Sequence, residues 1–322
     1  MTEREPLHSR IAGRAIEAFF FGSATLGGLS PLTTPERHGI ERIADIPYRR
    51  SGHRAHHLDI YRPYGAEKAP VVFYIHGGGF RFMSKDTHWI MGLGFARRGY
   101  IVVSINYRLA PRHPFPAALV DTCHAYSWVL EHIGDYGGDP QQIVVAGESA
   151  GANLATGLTL GTCIEFRESW MKRVWECQQV PKAMLAACGI FQVSDPQRYR
   201  RKQRLPDWLY HRISEVNRAY LEPSSFRHRR SSQLADPVVI LENLDRPHRP
   251  LPPTFAPVGT GDPLLDDTRR LEQALSALDV PVEARYYPGE AHAFHAFLWR
   301  RNARQCWADT YEFLDRHVPV DR

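Results

Sequence analysis

The 322-residue sequence predicts an α/β fold with a mostly parallel central sheet and helices on both faces. Short apolar, β-branched runs recur at Leu58–Arg62, Val71–Ile75, Ile101–Asn106, Ile143–Ala146, Ala183–Gly189, Thr254–Gly259 and Val282–Tyr287. Helical patterns lie between or after them, at Ala117–His132, Ala150–Phe166, Asp267–Leu278 and Arg301–Arg316. The strand runs are continuously apolar rather than alternating, as burial on both faces requires.

Two stretches fall outside this alternation, and they divide the chain. Residues 1–47 read as an N-terminal cap segment, with an amphipathic helix over 8–28. Residues 48–195 and 233–322 read as the two parts of the core. Residues 196–232 read as a basic cap insertion. From Pro196 to Ser232 there are ten Lys/Arg against three Asp/Glu, leaving thirty basic and thirty-two acidic residues elsewhere. This one segment therefore accounts for the net charge of +5. Such a cluster can bind nucleic acid, but a solvated, mobile cap with Tyr199, Trp208, Tyr210, Tyr220 and Phe226 as anchors is the expected role, and no nucleic-acid partner is expected. The uncharged run from Ala18 to Thr34 is broken by Gly22, Gly27, Gly28 and Pro31, so no stable membrane insertion is expected. Charged residues interrupt the N-terminus where a cleaved signal would be apolar. The five cysteines, Cys123, Cys163, Cys177, Cys188 and Cys306, are odd in number and form no Cys-x-x-Cys pair. That argues against a disulfide framework or structural zinc and for a reducing, cytoplasmic setting.

The chemistry is carried by two glycine-rich turns. Gly147-Glu148-Ser149-Ala150-Gly151 follows the apolar run Ile143–Ala146 and opens a helical stretch. A strand, a tight turn with serine at its tip and a helix form a nucleophile elbow. The helix dipole then points its positive end at any anion formed beside Ser149. The pentapeptide alone is a weak signal. His76-Gly77-Gly78-Gly79-Phe80, after the strand run ending at Ile75, strengthens it. Consecutive glycines can turn N–H groups outward, and with the Ala150 N–H they would form an oxyanion hole. No Gly-Lys-Ser/Thr follows, so a phosphate loop is not expected. His76 itself is expected to be structural.

A serine nucleophile needs a histidine base, and the histidine needs a carboxylate to fix its tautomer. On an elbow of this kind the chain order is Ser, Asp/Glu, His. That leaves His292, His295 and His317 as bases. His292 follows the strand run Val282–Tyr287 in Pro288-Gly289-Glu290-Ala291-His292, where a parallel sheet presents its functional residues. His295 is expected to open a helix, and His317 lies in the terminal one. Asp262 ends the strand-like run Thr254–Gly261 and is the expected acid. Asp266 and Asp267 suit a helix N-cap and first turn. His53, His56 and His57 lack a nearby cysteine and are expected in a solvated hairpin, so no metal site is expected. Glu148 is expected to shape the field of the pocket or to hydrogen-bond local backbone.

Taken together, the motifs resemble the hormone-sensitive lipase family of esterases. They are His76–Phe80, Asn106–Pro111, Phe115–Ala118, Gly137–Pro140, Gly147–Gly151, Asp262–Leu264 and Gly289-x-x-His292-x-Phe294. They occur in family order over roughly residues 58–300. The resemblance implies an α/β-hydrolase fold with a helical cap. It implies Ser149, Asp262 and His292 as triad, and the N–H groups of Gly78, Gly79 and Ala150 as oxyanion hole, with His76, Gly77, Gly147 and Gly151 in support. Arg112, Ala152 and Leu265 depart from the family pattern, and Glu165–Pro181 is a long, charged connection. The expected activity is carboxylester hydrolysis of a small-molecule ester with short- to medium-chain acyl groups and no cofactor. Amide, formamide or carbamate hydrolysis is the alternative within the same chemistry, and a non-catalytic small-molecule receptor is the alternative outside it. Homo-oligomerisation is left open.

Overall fold

A computed structural model describes residues 33–202, 205–221 and 231–320, and single positions 18, 22 and 27. The expected helix over 8–28, apart from those three positions, and the basic stretch 222–230 lie outside the described residues.

Eight strands form one sheet: β1 (Ile40–Pro47), β2 (His57–Pro63), β3 (Ala69–Ile75), β4 (Ile101–Ile105), β5 (Gly138–Glu148), β6 (Ala183–Ala187), β7 (Thr254–Gly259) and β8 (Val282–Tyr287). Their order is β1-β2-β4-β3-β5-β6-β7-β8. β1 and β2 enter antiparallel, and the pairs from β4 through β8 are parallel. The helices are α1 (Trp89–Ala96), α2 (Ala117–His132), α3 (Ala150–Cys163), α4 (Ser169–Glu176), α5 (Arg198–Lys202), α6 (Asp207–Tyr220), α7 (Pro237–Glu242), α8 (Leu265–Ala277) and α9 (Arg301–His317). Among the described residues, no helix is long and apolar enough to cross a membrane.

The sheet is apolar on both faces because successive side chains of a strand point opposite ways. Val71, Phe73 and Ile75 of β3 pack with α2, α3 and α4, whereas Val72 and Tyr74 pack with α1 and α9. A third cluster joins Met184 and Ala186 of β6 to Leu271 and Leu275 of α8 and to Val238 and Leu241 of α7. Burying each such Leu, Phe or Val contributes about 1.5–3 kcal/mol.

The sheet starts earlier than the sequence reading placed it. β1 lies inside the segment 1–47 set aside as a cap, yet it pairs along β2 from Ile40↔Pro63 to Pro47↔His57. The described part of the basic insertion packs on the core through aromatic side chains expected to anchor it. Tyr199, Tyr210, Ile213 and Tyr220 are buried, and the Tyr220 ring stacks on Phe80 at 3.7 Å. The His53–His57 stretch is not a solvated hairpin. It forms a 3-10 turn, Arg54–His56, and His56 is buried between Ser51 and Asp121.

The topology brings the two glycine-rich turns together. After β3 the chain crosses to β4 on one side and returns through α2 to β5 on the other. Ligands bind at such a switch point, beyond the carboxyl ends of the strands. Ile75 pairs with Gly147, so the loop after β3 and the turn after β5 leave the sheet side by side.

Candidate active site

Ser149 sits between β5 and α3 at φ 54°, ψ −118°. This costs a side-chain-bearing residue about 1–3 kcal/mol and persists only where the surroundings enforce it. Here they do. Ser149 N donates to Ala187 O at 2.9 Å, and Ser149 O accepts from Ile190 N at 3.3 Å. The flanking glycines permit the close approach: a Cβ on Gly147 would lie 2.4 Å from Gly151 O, and one on Gly151 2.1 Å from Ile75 O.

Gly78 and Gly79, next to this turn, have φ of 101° and 58°. Their N–H groups find no protein acceptor among the described residues. Ala150 is the first residue of α3, where an N–H has no intrahelical partner. The loop is held by Gly78 O, which accepts from Arg81 N at 3.0 Å and Phe82 N at 3.2 Å. His76 is buried; its Nδ1–H donates to Gly77 O at 2.8 Å and its ring stacks on Tyr107 at 4.3 Å. Burial, helped by neighbouring His88, pushes His76 down to about 3.

The loops after β7 and β8 bring Asp262 and His292 to Ser149. Asp262 is buried, and its Oδ1 accepts from Leu264 N at 2.7 Å. Its Oδ2 lies 2.8 Å from His292 Nδ1. A carboxylate there keeps the proton on Nδ1 and leaves Nε2 to accept. Nε2 lies 3.0 Å from Ser149 Oγ. Burial works against a charged imidazole, but Asp262 together with Cys188 outweighs it and holds His292 well above the ordinary histidine range.

Sequence reasoning missed the arrangement behind the elbow. Glu148 is buried and does not bond local backbone: Oε1 accepts from His88 Nε2 at 2.8 Å and Oε2 from His295 Nε2 at 2.7 Å. Burial pushes this carboxyl up, yet the two imidazoles hold it well below the usual carboxylate range. One carboxylate thus ties the nucleophile turn to the segment before α1 and to the loop carrying His292. His295 lies in the short 3-10 helix Phe294–Ala296 rather than opening a longer one. An acid inside the elbow and a second histidine three residues after the base were the only signals available.

Asp267 is a first-turn acid, as expected, and also takes on a further role. α8 starts at Leu265, and Asp267 is buried in its first turn. It accepts from Arg198 Nη2 at 2.7 Å and from Phe191 N at 2.8 Å, so it anchors the basic insertion to the core. The insertion in turn reaches the oxyanion loop, because a Cβ on Gly79 would lie 2.9 Å from Val216 Cγ2 of α6. A second serine–histidine–aspartate set occurs at Ser51, His56 and Asp121. Its aspartate is occupied by Arg108 at 2.8 Å and Arg49 at 3.2 Å, and Ser51 is followed by the short 3-10 turn Arg54–His56 rather than by an α-helix such as α3.

This fold and site define an α/β hydrolase. The family model for the alpha/beta hydrolase fold matches residues 72–296, and the chain belongs to that family, in agreement with the resemblance carried by its motifs. It is 34% identical over 239 residues to Esterase LipI of Mycobacterium tuberculosis, covering 70% of this chain and 66% of that protein. It is 32% identical over 237 residues to an acetyl esterase of Salmonella schwarzengrund, covering 73% of this chain and 68% of that protein. The chain therefore aligns with about two thirds of the length of these relatives. Among solved structures, esterase LipW from Mycobacterium marinum superposes with a TM-score of 0.73 at 26% identity, covering 94% of this chain and 88% of that one.

Proposed function

We propose that this chain is a serine carboxylester hydrolase acting on short- to medium-chain acyl esters, with Ser149 as nucleophile, His292 as base and Asp262 as its orienting acid. The observation that carries the reading is the pair of contacts at His292, 3.0 Å to Ser149 Oγ and 2.8 Å to Asp262 Oδ2. The relatives named as esterases support it.

In this mechanism Ser149 Oγ attacks the ester carbonyl while His292 Nε2 takes its proton. Asp262 stabilises the imidazolium without taking a proton itself. The oxyanion of the tetrahedral intermediate accepts from the N–H groups of Gly78, Gly79 and Ala150. Each such donor is worth about 3 kcal/mol in the transition state. Collapse breaks the C–O bond to the alcohol, which leaves with the proton from His292. Water, deprotonated by His292, then attacks the acyl-enzyme, and the acid departs as Ser149 regains its proton. The cycle calls for no metal or organic cofactor. α5 and α6, from the insertion 196–232, act as a cap, and Val216 beside Gly79 restricts the acyl group.

A panel of p-nitrophenyl esters of graded chain length tests the reading with wild-type protein and Ser149→Ala. Hydrolysis concentrated on the short and middle chains and lost in the variant is the expected result. Equal rates in the two proteins, or preference for the longest chains, would overturn it.

A further inference from the structure

Cys188 is a buried thiol that the proposed ester chemistry does not use. It follows the last residue of β6 and is fixed between the elbow and the strand leading to Asp262. Its N–H donates to Pro257 O of β7 at 2.9 Å, and the preceding carbonyl, Ala187 O, receives Ser149 N–H at 2.9 Å. The result is a three-donor cluster: Cys188 Sγ, a carboxylate oxygen of Asp262 and a ring nitrogen of His292 lie within 4.8 Å of one another.

We infer that Cys188, Asp262 and His292 form a binding site for a soft divalent cation, zinc or cadmium, whose occupation switches the active site off. Thiolate sulfur, imidazole nitrogen and carboxylate oxygen together form a zinc-type donor set, with three protein ligands and a fourth position left for water. At the usual ligand distances, donors around a tetrahedral ion stand roughly 3.3–3.6 Å apart. The cluster reaches that spacing through small side-chain shifts and an opening of the Asp262–His292 contact. Two anionic ligands match the two charges of the ion, as a buried site requires. The His292 side chain is 32% exposed and gives the ion its way in, while the Asp262 side chain is fully covered.

Binding and inhibition follow from one proton balance. The ion takes His292 Nδ1 and the Asp262 oxygen in place of their hydrogen bond. The Nδ1 proton moves to Nε2, and the Cys188 thiol releases its proton to solvent. An N–H then faces Ser149 Oγ, and His292 cannot accept the hydroxyl proton. The ion is an inhibitor rather than a cofactor, so the site is compatible with ester chemistry that needs no metal. The inhibition depends on the triad reading; the binding does not.

The experiment separates the two. Cys177 is the exposed thiol among the five cysteines, so the background is Cys177→Ser. In Cys177→Ser/Ser149→Ala, titration with CdCl2 should produce the ultraviolet thiolate-to-cadmium charge-transfer band at one equivalent, and adding Cys188→Ser should abolish it. In active Cys177→Ser protein, CdCl2 or ZnCl2 should lower ester hydrolysis at least tenfold, a chelator should restore it, and Cys188→Ser should raise the required concentration at least tenfold. If Cys188→Ser does not fold, Cys188→Ala takes its place. No band, or a band unchanged without the Cys188 thiol, overturns the site. A band with undiminished hydrolysis overturns the switch. Hydrolysis surviving in Ser149→Ala overturns the triad reading and leaves the binding result to stand by itself.

Discussion

Glu148 Oε2 and His295 Nε2 are 2.7 Å apart, joining the residue beside Ser149 to a residue three positions beyond His292. This contact ties the loop of His292 to the turn of Ser149. In His295→Ala the buried carboxylate keeps His88 as its remaining imidazole partner, and losing a bond to a charged group costs about 1.5–3 kcal/mol. The expected outcome is a lower melting temperature with ester hydrolysis within about tenfold of wild type, because the group in contact with Ser149 is His292. If His295→Ala were as inactive as His292→Ala, His295 would take part directly in the chemistry.

Phe82 O and Val216 stand against the neighbouring glycines Gly78 and Gly79, respectively. A Cβ on Gly78 would come within 2.2 Å of Phe82 O, and the residue's φ of 101° disfavours any side chain. Gly78→Ala should therefore displace an N–H donor and lower kcat by about a hundredfold. Val216→Ala leaves the loop in place and removes bulk beside Gly79. It should shift the kcat/KM optimum towards longer acyl chains with little effect on acetate esters. Steady-state kinetics on a p-nitrophenyl ester series measures both, and an unchanged chain-length profile would remove Val216 from the acyl pocket.

The balance at His292 fixes a pH dependence. The base must be neutral to accept the Ser149 proton. Because Asp262 and Cys188 together outweigh burial and raise His292 well above its ordinary value, the imidazole loses its proton late as pH rises. The acid limb of kcat/KM should therefore reach half-maximum above the ordinary histidine pKa of about 6.5. In Asp262→Asn burial is opposed by Cys188 alone, so the limb should move to lower pH while the maximal rate falls by about ten-thousandfold. A wild-type limb at or below the ordinary value would contradict this reading.

Arg198 and Asp267 form the buried pair that fastens the basic insertion to α8, at 2.7 Å. Removing one partner strands a charge that also holds Phe191 N–H, a loss of about 3–5 kcal/mol. Arg198→Met should lower the unfolding midpoint in denaturant and raise KM more than it lowers kcat, because the cap loosens while the triad remains. Unchanged stability would mean that the insertion does not depend on this pair.

Much of the site was legible because its residues sit in short local motifs. The elbow, the glycine loop and the turns bearing Asp262 and His292 each follow a readable strand, and chain order sets their roles. β1 was not legible. Ile40, Ile43 and Ile46 recur at a spacing of three, which resembles a helix, because a register shift between Ile43 and Ile46 breaks the strand's alternation. α1 was missed because it is apolar all round. Its Gly92 and Gly94 admit the Tyr61 and Trp307 rings, where a Cβ would lie 2.6 Å from each. The partners of Glu148 lie 60 and 147 residues away in sequence, so only the assembled sheet brings them together.

A nucleophilic Ser149 would be captured covalently by an activated phosphonate. The protein is treated with a fluorophosphonate, its residual esterase activity is followed, and the labelled site is mapped by peptide mass spectrometry. The account predicts one adduct per chain, on the peptide bearing Ser149, growing in step with loss of activity and absent in Ser149→Ala. Full inactivation with the adduct on another residue, such as Ser51, or labelling of Ser149 with activity retained, would contradict it.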